Sequence, residues 1–269
     1  MKRVVCALLL LSGLAAGAAS AQDRLSLSVN GSTLSSDDSN LFDSDDGNGG
    51  SIGWLHNFSP DAVAGIGAEY QSIGDAQWQF ASLRAALTRG PSGKRRSLYG
   101  EFHRGDGEDD THDFTYQIGM LGVALPLAGR LSMQLEDKQI DVDTSHGNMP
   151  KLGLTMAWTP RLQTGVAYAQ SISGNLRTKL GSVRLDHYGS TVHTLIGGAV
   201  GRANPVVLNL DPGTDLPGFT SREGYIGFSR PFSRAEFLVL ADYLKVADIE
   251  RVTLTLSCTV NLRSGAPRK

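Results

Sequence analysis

The chain has 269 residues, of which 41% are hydrophobic and 19% charged, and its formal net charge at pH 7 is −2. This nearly balanced charge argues against general affinity for nucleic acid, which requires a basic surface. Cys6 lies in a segment that we expect to be removed, so Cys258 has no partner for an internal disulfide. No run after residue 21 reaches the roughly 18 apolar residues that indicate a membrane-spanning helix.

The N-terminus has the features of a secretory signal peptide. Lys2 and Arg3 precede an apolar run at residues 4–14, and small residues follow up to Ala21. A basic start, a short apolar region and small residues before the cut are typical of a cleaved export signal. We therefore expect cleavage after Ala21 and a single mature domain at residues 22–269.

Alternation of apolar and polar residues predicts strands along the whole mature chain. The predicted strands lie at residues 24–33, 49–58, 62–72, 76–89, 94–104, 113–125, 129–141, 149–158, 161–171, 178–188, 192–201, 222–230, 235–245 and 251–262. Those near residues 76–88 and 236–245 have a less clear alternation. The count is about fourteen, with about twelve or sixteen as alternatives.

The last predicted strand has the clearest pattern. Val252, Leu254, Leu256, Cys258, Val260 and Leu262 alternate with Thr253, Thr255, Ser257, Thr259 and Asn261. A period of two places the apolar and the polar set on opposite faces of a strand. A soluble sandwich would bury the apolar face, whereas a membrane barrel would turn it outward.

Two kinds of connection alternate along the chain. Short turns rich in Gly, Pro and Ser are predicted at residues 59–61, 90–93, 126–129, 159–160, 189–191 and 230–233. More variable and often longer connections are predicted at residues 34–48, 73–75, 105–112, 142–148, 172–177, 202–221 and 246–250. Acidic residues concentrate in the longer kind and basic residues beside the short turns. This alternation predicts an all-β fold, a closed antiparallel transmembrane β-barrel with short periplasmic turns and external loops.

Through its signal peptide, its final strand and its alternating turns, the chain resembles the β-barrel proteins of the Gram-negative bacterial outer membrane. A weaker likeness to the YaiO-type surface-exposed barrel family is carried by Arg184-Leu185-Asp186-His187-Tyr188 and the glycine-rich residues 196–201. The resemblance implies contact with outer-membrane lipid and lipopolysaccharide, and insertion by the barrel-assembly machinery. The chain departs from the class in its last strand, which ends at Leu262 where an aromatic residue is usual.

A barrel of about fourteen strands encloses a lumen wider than side chains fill in a barrel of about eight strands. Charged residues on strands whose other face is apolar are predicted to line this lumen: Glu101, Glu136, Lys138, Arg184 and Asp186. We therefore favour a passive, porin-like pore or small-solute channel. The alternative is a surface-exposed or structural barrel without transport. No cofactor is expected.

Two groups of Ser and His residues raise a third hypothesis, a barrel lipid hydrolase. His187, Ser190 and His193 surround a predicted tight turn, and Ser145 and His146 lie in a predicted external loop. A serine beside a histidine can act as a nucleophile with its base. A polar turn and a glycine-bearing loop account for the same residues without chemistry, so no catalytic residue is predicted.

Acidic residues cluster in two predicted loops. Asp43, Asp45 and Asp46 lie in one loop, and Asp106, Glu108, Asp109 and Asp110 lie in the other. Carboxylates are ligands that calcium prefers, but neither segment has the spacing of a calcium-binding loop. Such composition is typical of solvated loops, and no metal site is predicted.

Overall fold

The computed structural model of the protein describes residues 22–36, 45–73, 76–91, 94–108, 113–142, 145–203, 219–246 and 249–263. These residues form the strands β1 (Gln22–Ser36), β2 (Asp45–Ser59), β3 (Ala62–Ile73), β4 (Ala76–Arg89), β5 (Arg96–Glu108), β6 (Asp113–Ala128), β7 (Leu131–Val142), β8 (Ser145–Thr159), β9 (Leu162–Gln170), β10 (Lys179–Tyr188), β11 (His193–Ala203), β12 (Phe219–Pro231), β13 (Ala235–Val246) and β14 (Ile249–Arg263). Within these ranges, no helix is long and apolar enough to cross a membrane. The predicted signal peptide, at residues 1–21, lies outside the described residues.

The strands close into a barrel. Each strand pairs antiparallel with the next one, and β14 pairs with β1 along the full length of both strands, from Gln22 opposite Arg263 to Ser36 opposite Ile249. Closure gives every strand two neighbours, which satisfies the backbone polar groups that lipid cannot. The predicted all-β class, the closed antiparallel barrel and the number of fourteen strands are confirmed.

The two ends of the barrel differ. We call the end that carries Gln22 and Arg263 the turn end, because its connections are short. The register of the wall shifts beside three of these turns, where β2, β6 and β8 each carry one extra residue. Gly90 and Gly129 adopt φ angles of 117° and 55° in two of the turns, a conformation that glycine adopts without strain. The opposite end, which we call the loop end, carries the more variable connections.

The faces of the strands are inverted relative to a soluble protein. On β14, Leu254 has 50% of its surface exposed, whereas the adjacent Thr253 has 1% exposed. The outer faces of the other strands also carry large exposed apolar residues, including Leu27, Ile52, Leu83 and Ile226. Apolar side chains outside and polar side chains inside are what a wall in contact with lipid requires.

The strands reach further towards the loop end than the sequence predicts. The predicted loop at residues 142–148 is wrong, since β7 continues to Val142 and β8 begins at Ser145. Asp46, Asp106 and Glu108, which are predicted in loops, also lie in strands. The extension of β7 and β8 is stabilised because it buries inward-facing apolar side chains, among them Val142.

Among the described residues, the wall is interrupted at the loop end between β8 and β9. β9 ends at Gln170, so the first residues of β8 have no strand partner on that side. The connection at residues 171–178 takes its place: the Ile172 N–H donates to the Asn148 carbonyl at 3.0 Å, and the Asn175 N–H donates to the His146 carbonyl at 3.0 Å. In return, the Asn175 side-chain oxygen accepts a hydrogen bond from the His146 N–H, and the Ser173 hydroxyl oxygen accepts one from the Asn148 N–H.

Candidate functional site

The interior of the barrel is the candidate functional site, and its side chains fall into groups of different chemistry. An apolar cluster lies at the loop end. Two networks of charged residues lie on opposite sides of the barrel interior, one on β4–β8 and the other on β10–β14. A wall of small polar residues, on β14, β1 and β2, lies between the networks.

The apolar cluster consists of side chains near the loop-end termini of their strands, together with Leu176 in the connection at residues 171–178. Its buried members are Leu34, Trp78, Phe80, Phe114, Tyr116, Ile118, Ile140, Val142, Met149, Ala169 and Leu176. Trp78 and Phe114 meet edge to face with 5.9 Å between ring centroids, and Phe80 stacks on Tyr116 at 5.4 Å. Such ring pairs contribute about 0.5–1.5 kcal/mol beyond the area they bury. The sequence does not predict this cluster.

The first network joins charged residues of four strands, β4, β5, β7 and β8. Glu101 on β5 pairs with Arg84 on β4, and His103 Nε2 lies 3.0 Å from the same carboxylate. Glu136 on β7 accepts from the Tyr99 hydroxyl at 2.8 Å and pairs with Lys151 Nζ at 2.6 Å. Each carboxylate therefore lies close to more than one polar or basic partner, which lowers the cost of a charge in the barrel interior.

The apolar cluster and the first network are in direct contact. Phe80 meets His103 edge to face, with 5.2 Å between centroids. Lys138 is the next inward-facing residue after Glu136 on β7, and it interacts electrostatically with both Glu136 and Glu101. The interior beside β4–β8 thus passes from aromatic rings at the loop end to charges in the middle of the barrel.

The second network lies across the interior. Arg184 donates to both oxygens of Asp186, from Nε at 2.7 Å and from Nη2 at 2.6 Å, and His193 Nε2 lies 3.1 Å from the same carboxylate. Arg251 on β14 and Asp242 on β13 are both buried, with 3.6 Å between Nη2 and Oδ1. A bidentate arginine holds a carboxylate in a defined orientation.

The small-residue wall separates the two networks. Ser257 on β14 lies opposite Ser28 on β1, and Ser28 lies opposite Ser51 on β2. The Ser28 and Ser51 hydroxyls are 2.7 Å apart, and the Ser26 hydroxyl donates to the Gly53 carbonyl at 3.2 Å. These serines are half-buried, although they lie on the inner face. Their short side chains leave space along this part of the interior.

The five residues predicted to line the lumen all lie on inner faces. Glu101 and Glu136 belong to the first network, with Lys138 beside them, and Arg184 and Asp186 form the centre of the second network. Their role as pore-lining residues stays a prediction. Sequence reasoning missed the partners on neighbouring strands, because the register between strands determines which residues meet.

The two proposed Ser and His groups are divided between the faces of the wall. His187 is exposed on the outer face, whereas His193 is on the inner face with Asp186, and Ser190 is exposed in the turn between them. Ser145 is fully buried on the inner face of β8, and its neighbour His146 is exposed on the outer face. His187 and His193 are thus on opposite faces of the barrel wall, as are Ser145 and His146.

The acidic residues considered as metal ligands do not form one site in the part of the chain that is described. Asp43, Asp109 and Asp110 lie outside the described residues, as does the side chain of Asp45. Asp46 and Asp106 are exposed, and Glu108 accepts a hydrogen bond from Gln77. No group of three or more potential ligands occurs among the side chains that the structure describes.

The sequence matches no known protein-family model and no curated protein. Among solved structures, the fold is similar to the "CymD monoaromatic hydrocarbon channel", with a TM-score of 0.59, 10% identity, and coverage of 91% of this chain and 90% of that chain. A Pseudomonas aeruginosa FadL homologue has a TM-score of 0.59 and 7% identity, with coverage of 90% of this chain and 91% of that chain. The Pseudomonas putida toluene transporter TodX has a TM-score of 0.52 and 8% identity, with coverage of 90% of each chain. The chain therefore has the fold of bacterial outer-membrane β-barrel channels.

Proposed function

We propose that this protein is a passive channel for small solutes in the bacterial outer membrane, with the loop end facing outward. The observation that carries the proposal is the small-residue wall. Ser26, Ser28 and Ser51 line the inner face with short hydroxyl side chains and remain half-buried, while the large charged side chains lie on either side. A fourteen-stranded wall lined in this way leaves a polar passage beside β14, β1 and β2.

The interior supports a more specific proposal for the solute. Trp78, Phe80, Phe114 and Tyr116 place aromatic rings inside the loop end, where a solute from outside would arrive first. Flat apolar molecules pack well against such rings. Two structures of similar fold are described as a monoaromatic hydrocarbon channel and a toluene transporter, which agrees with this chemistry. We propose that the solutes are small, uncharged and partly apolar.

Conductance in planar lipid bilayers tests the channel. The wild-type protein is expected to give discrete current steps. Ser28→Trp places a large ring in the proposed passage and is expected to reduce the step size, whereas Leu27→Trp changes the adjacent, outward-facing residue and leaves it unchanged. A correctly folded wild-type barrel without current steps would reject an open pore, and equal effects of the two substitutions would reject this route.

Fluorescence of Trp78 tests the proposed solute class. The chain has three tryptophans, and replacing Trp54 and Trp158 by Phe leaves Trp78 as the single reporter in the apolar cluster. Toluene is expected to change this fluorescence in a saturable manner, and glucose is expected to have no effect. A response that rises linearly with toluene would show partition into the detergent or lipid instead of binding.

A second candidate function is a barrel without transport. It is favoured by the apolar cluster, in which Val142 and Leu176 are fully buried, so the interior beside β7–β9 is filled at the loop end. Bilayer recordings distinguish the two candidates.

Two finer predictions apply to either candidate. We propose that the exported protein is cleaved after Ala21 and that the chain is related to the YaiO-type family. Mass spectrometry of the exported protein tests the cleavage.

A further inference from the structure

Basic side chains form a continuous group on the outer face of β10–β13 at the loop end. Lys179, Arg202, Arg222 and Lys245 belong to it, and we call them the basic band. Lys179 lies opposite Arg202, and Arg222 lies opposite Lys245. Arg202 on β11 lies opposite Thr220 on β12, so Arg222, two residues further along β12, is the diagonal neighbour of Arg202. The four residues thus follow one another across four adjacent strands.

The basic band is electrostatically unfavourable in isolation. Residues directly opposite each other in an antiparallel pair have Cβ atoms about 4.5–5.5 Å apart, and like charges at that distance are destabilising. Lys179, Arg202 and Arg222 are exposed on the outer surface. Among the described residues, Glu250 on β14 pairs with Lys245 at the edge of the band. The arrangement therefore has an excess of positive charge that an anionic partner would neutralise.

The surface directly below the band is apolar and contains a shallow slot. Gly198 lies opposite Gly224, and this pair is flanked in register by Val183 on β10 and Tyr243 on β13. A Cβ atom at Gly224 would meet no atom within 4 Å, whereas a Cβ atom at Gly198 would lie 2.5 Å from the Glu223 carbonyl oxygen, so the open part of the slot is at Gly224. The next row towards the turn end carries large apolar residues, including Ile196 and Ile226. Charges above an apolar slot match a molecule with an anionic head and a hydrocarbon tail.

We propose that the basic band binds the phosphate groups of a phosphorylated glycolipid of the outer leaflet, with an acyl chain lying along the slot between Val183 and Tyr243. Arginine favours phosphate because its planar guanidinium can donate two parallel hydrogen bonds. The proposal rests on the outer-membrane placement proposed above and is independent of transport. It also accounts for basic residues at an end whose predicted loops are mainly acidic.

Binding of lipid A to the purified, detergent-solubilised full mature protein tests the proposal by native mass spectrometry. Bis-phosphorylated lipid A is the probe, and dephosphorylated lipid A is the matched ligand. The wild-type protein is expected to bind the phosphorylated form about tenfold or more tightly, because two or more charge-assisted contacts are lost without the phosphates. Equal binding of the two forms would overturn the proposal, and would leave an acidic protein as the partner to consider.

A double substitution locates the site. Arg202→Gln with Arg222→Gln is expected to abolish the preference for the phosphorylated lipid. The control is Arg89→Gln with Arg96→Gln, which removes two exposed arginines that lie directly opposite each other at the turn end, and it is expected to keep the preference. Equal losses in both variants would overturn the location. Heat-modifiable gel migration verifies folding, and unchanged conductance of the band variant separates this site from the channel.

Discussion

Removing the carboxylate at the centre of the second network is expected to destabilise the barrel. Asp186→Ala should lower the free energy of unfolding by about 3 kcal/mol. Asp186 is buried and accepts two hydrogen bonds from Arg184, at 2.7 and 2.6 Å, with His193 Nε2 at 3.1 Å. Without it, the Arg184 guanidinium stays in the interior with its main acceptor missing.

The magnitude follows from the geometry of the pair. Two unit charges 2.6 Å apart attract by about 6 kcal/mol at an effective dielectric constant of about 20. Desolvation of the two ions offsets much of this attraction, but breaking a buried pair still costs about 3–5 kcal/mol because one charge remains buried. We take the lower end of the range because Arg184 keeps 23% of its side-chain surface exposed and can regain water.

Urea titration of the protein in lipid vesicles, followed by heat-modifiable gel migration, measures the effect. Asp61→Ala is the matched control, since Asp61 pairs with Arg95 at 3.5 Å with side chains that are 52% and 47% exposed. This surface pair should contribute less than about 1 kcal/mol. Replacing both partners of the interior pair, by Arg184→Met with Asp186→Leu, should recover most of the loss. Equal losses for Asp186→Ala and Asp61→Ala would refute the reasoning.

Two further pairs of substitutions test the assignment of the outer and inner faces of the barrel and the packing around two of its glycines. Leu254→Lys places a charge on the lipid-facing surface and should lower the free energy of unfolding by about 2–4 kcal/mol in the same urea assay. Thr255→Lys places the charge in the interior and should leave the free energy of unfolding nearly unchanged. Equal losses would contradict the assigned faces. Gly122→Ala would place a Cβ atom near the Tyr99 ring and should cost about 1–3 kcal/mol, whereas Gly224→Ala extends into open space and should be neutral.

The positions of the strands could be predicted because each strand needs an apolar outward face. That requirement produces the period of two on β14, and the predicted strand at residues 76–89 coincides with β4. The predictions stop short at the loop end because Asp106 and Glu108 have the composition of a loop. An exposed carboxylate is compatible with a strand once the strand has passed beyond the lipid, where water solvates it.

The interior could be predicted only in part. The parity of the strands identifies Glu101 and Asp186 as inward-facing, but Arg84 and His193 become their partners through contacts that the sequence alone does not specify. The apolar cluster was not predicted because the contrast between the two faces reverses along β4: at the loop end Trp78 lies on the inner face beside the outward Gln79, whereas further along Leu83 is on the outer face. Period-two analysis therefore finds the strand but does not show which face is apolar at each end.

The interruption between β8 and β9 makes this seam a mechanically weak line of the cylinder. Elsewhere along the described wall, neighbouring strands are joined by backbone ladders, but here two contacts depend on the side chains of Ser173 and Asn175. Pro150, in the same stretch of β8, has no N–H to donate. Exchange of amide protons with deuterium should accordingly begin at Ile172 and Asn175, and a pulling force should unzip the cylinder from this line.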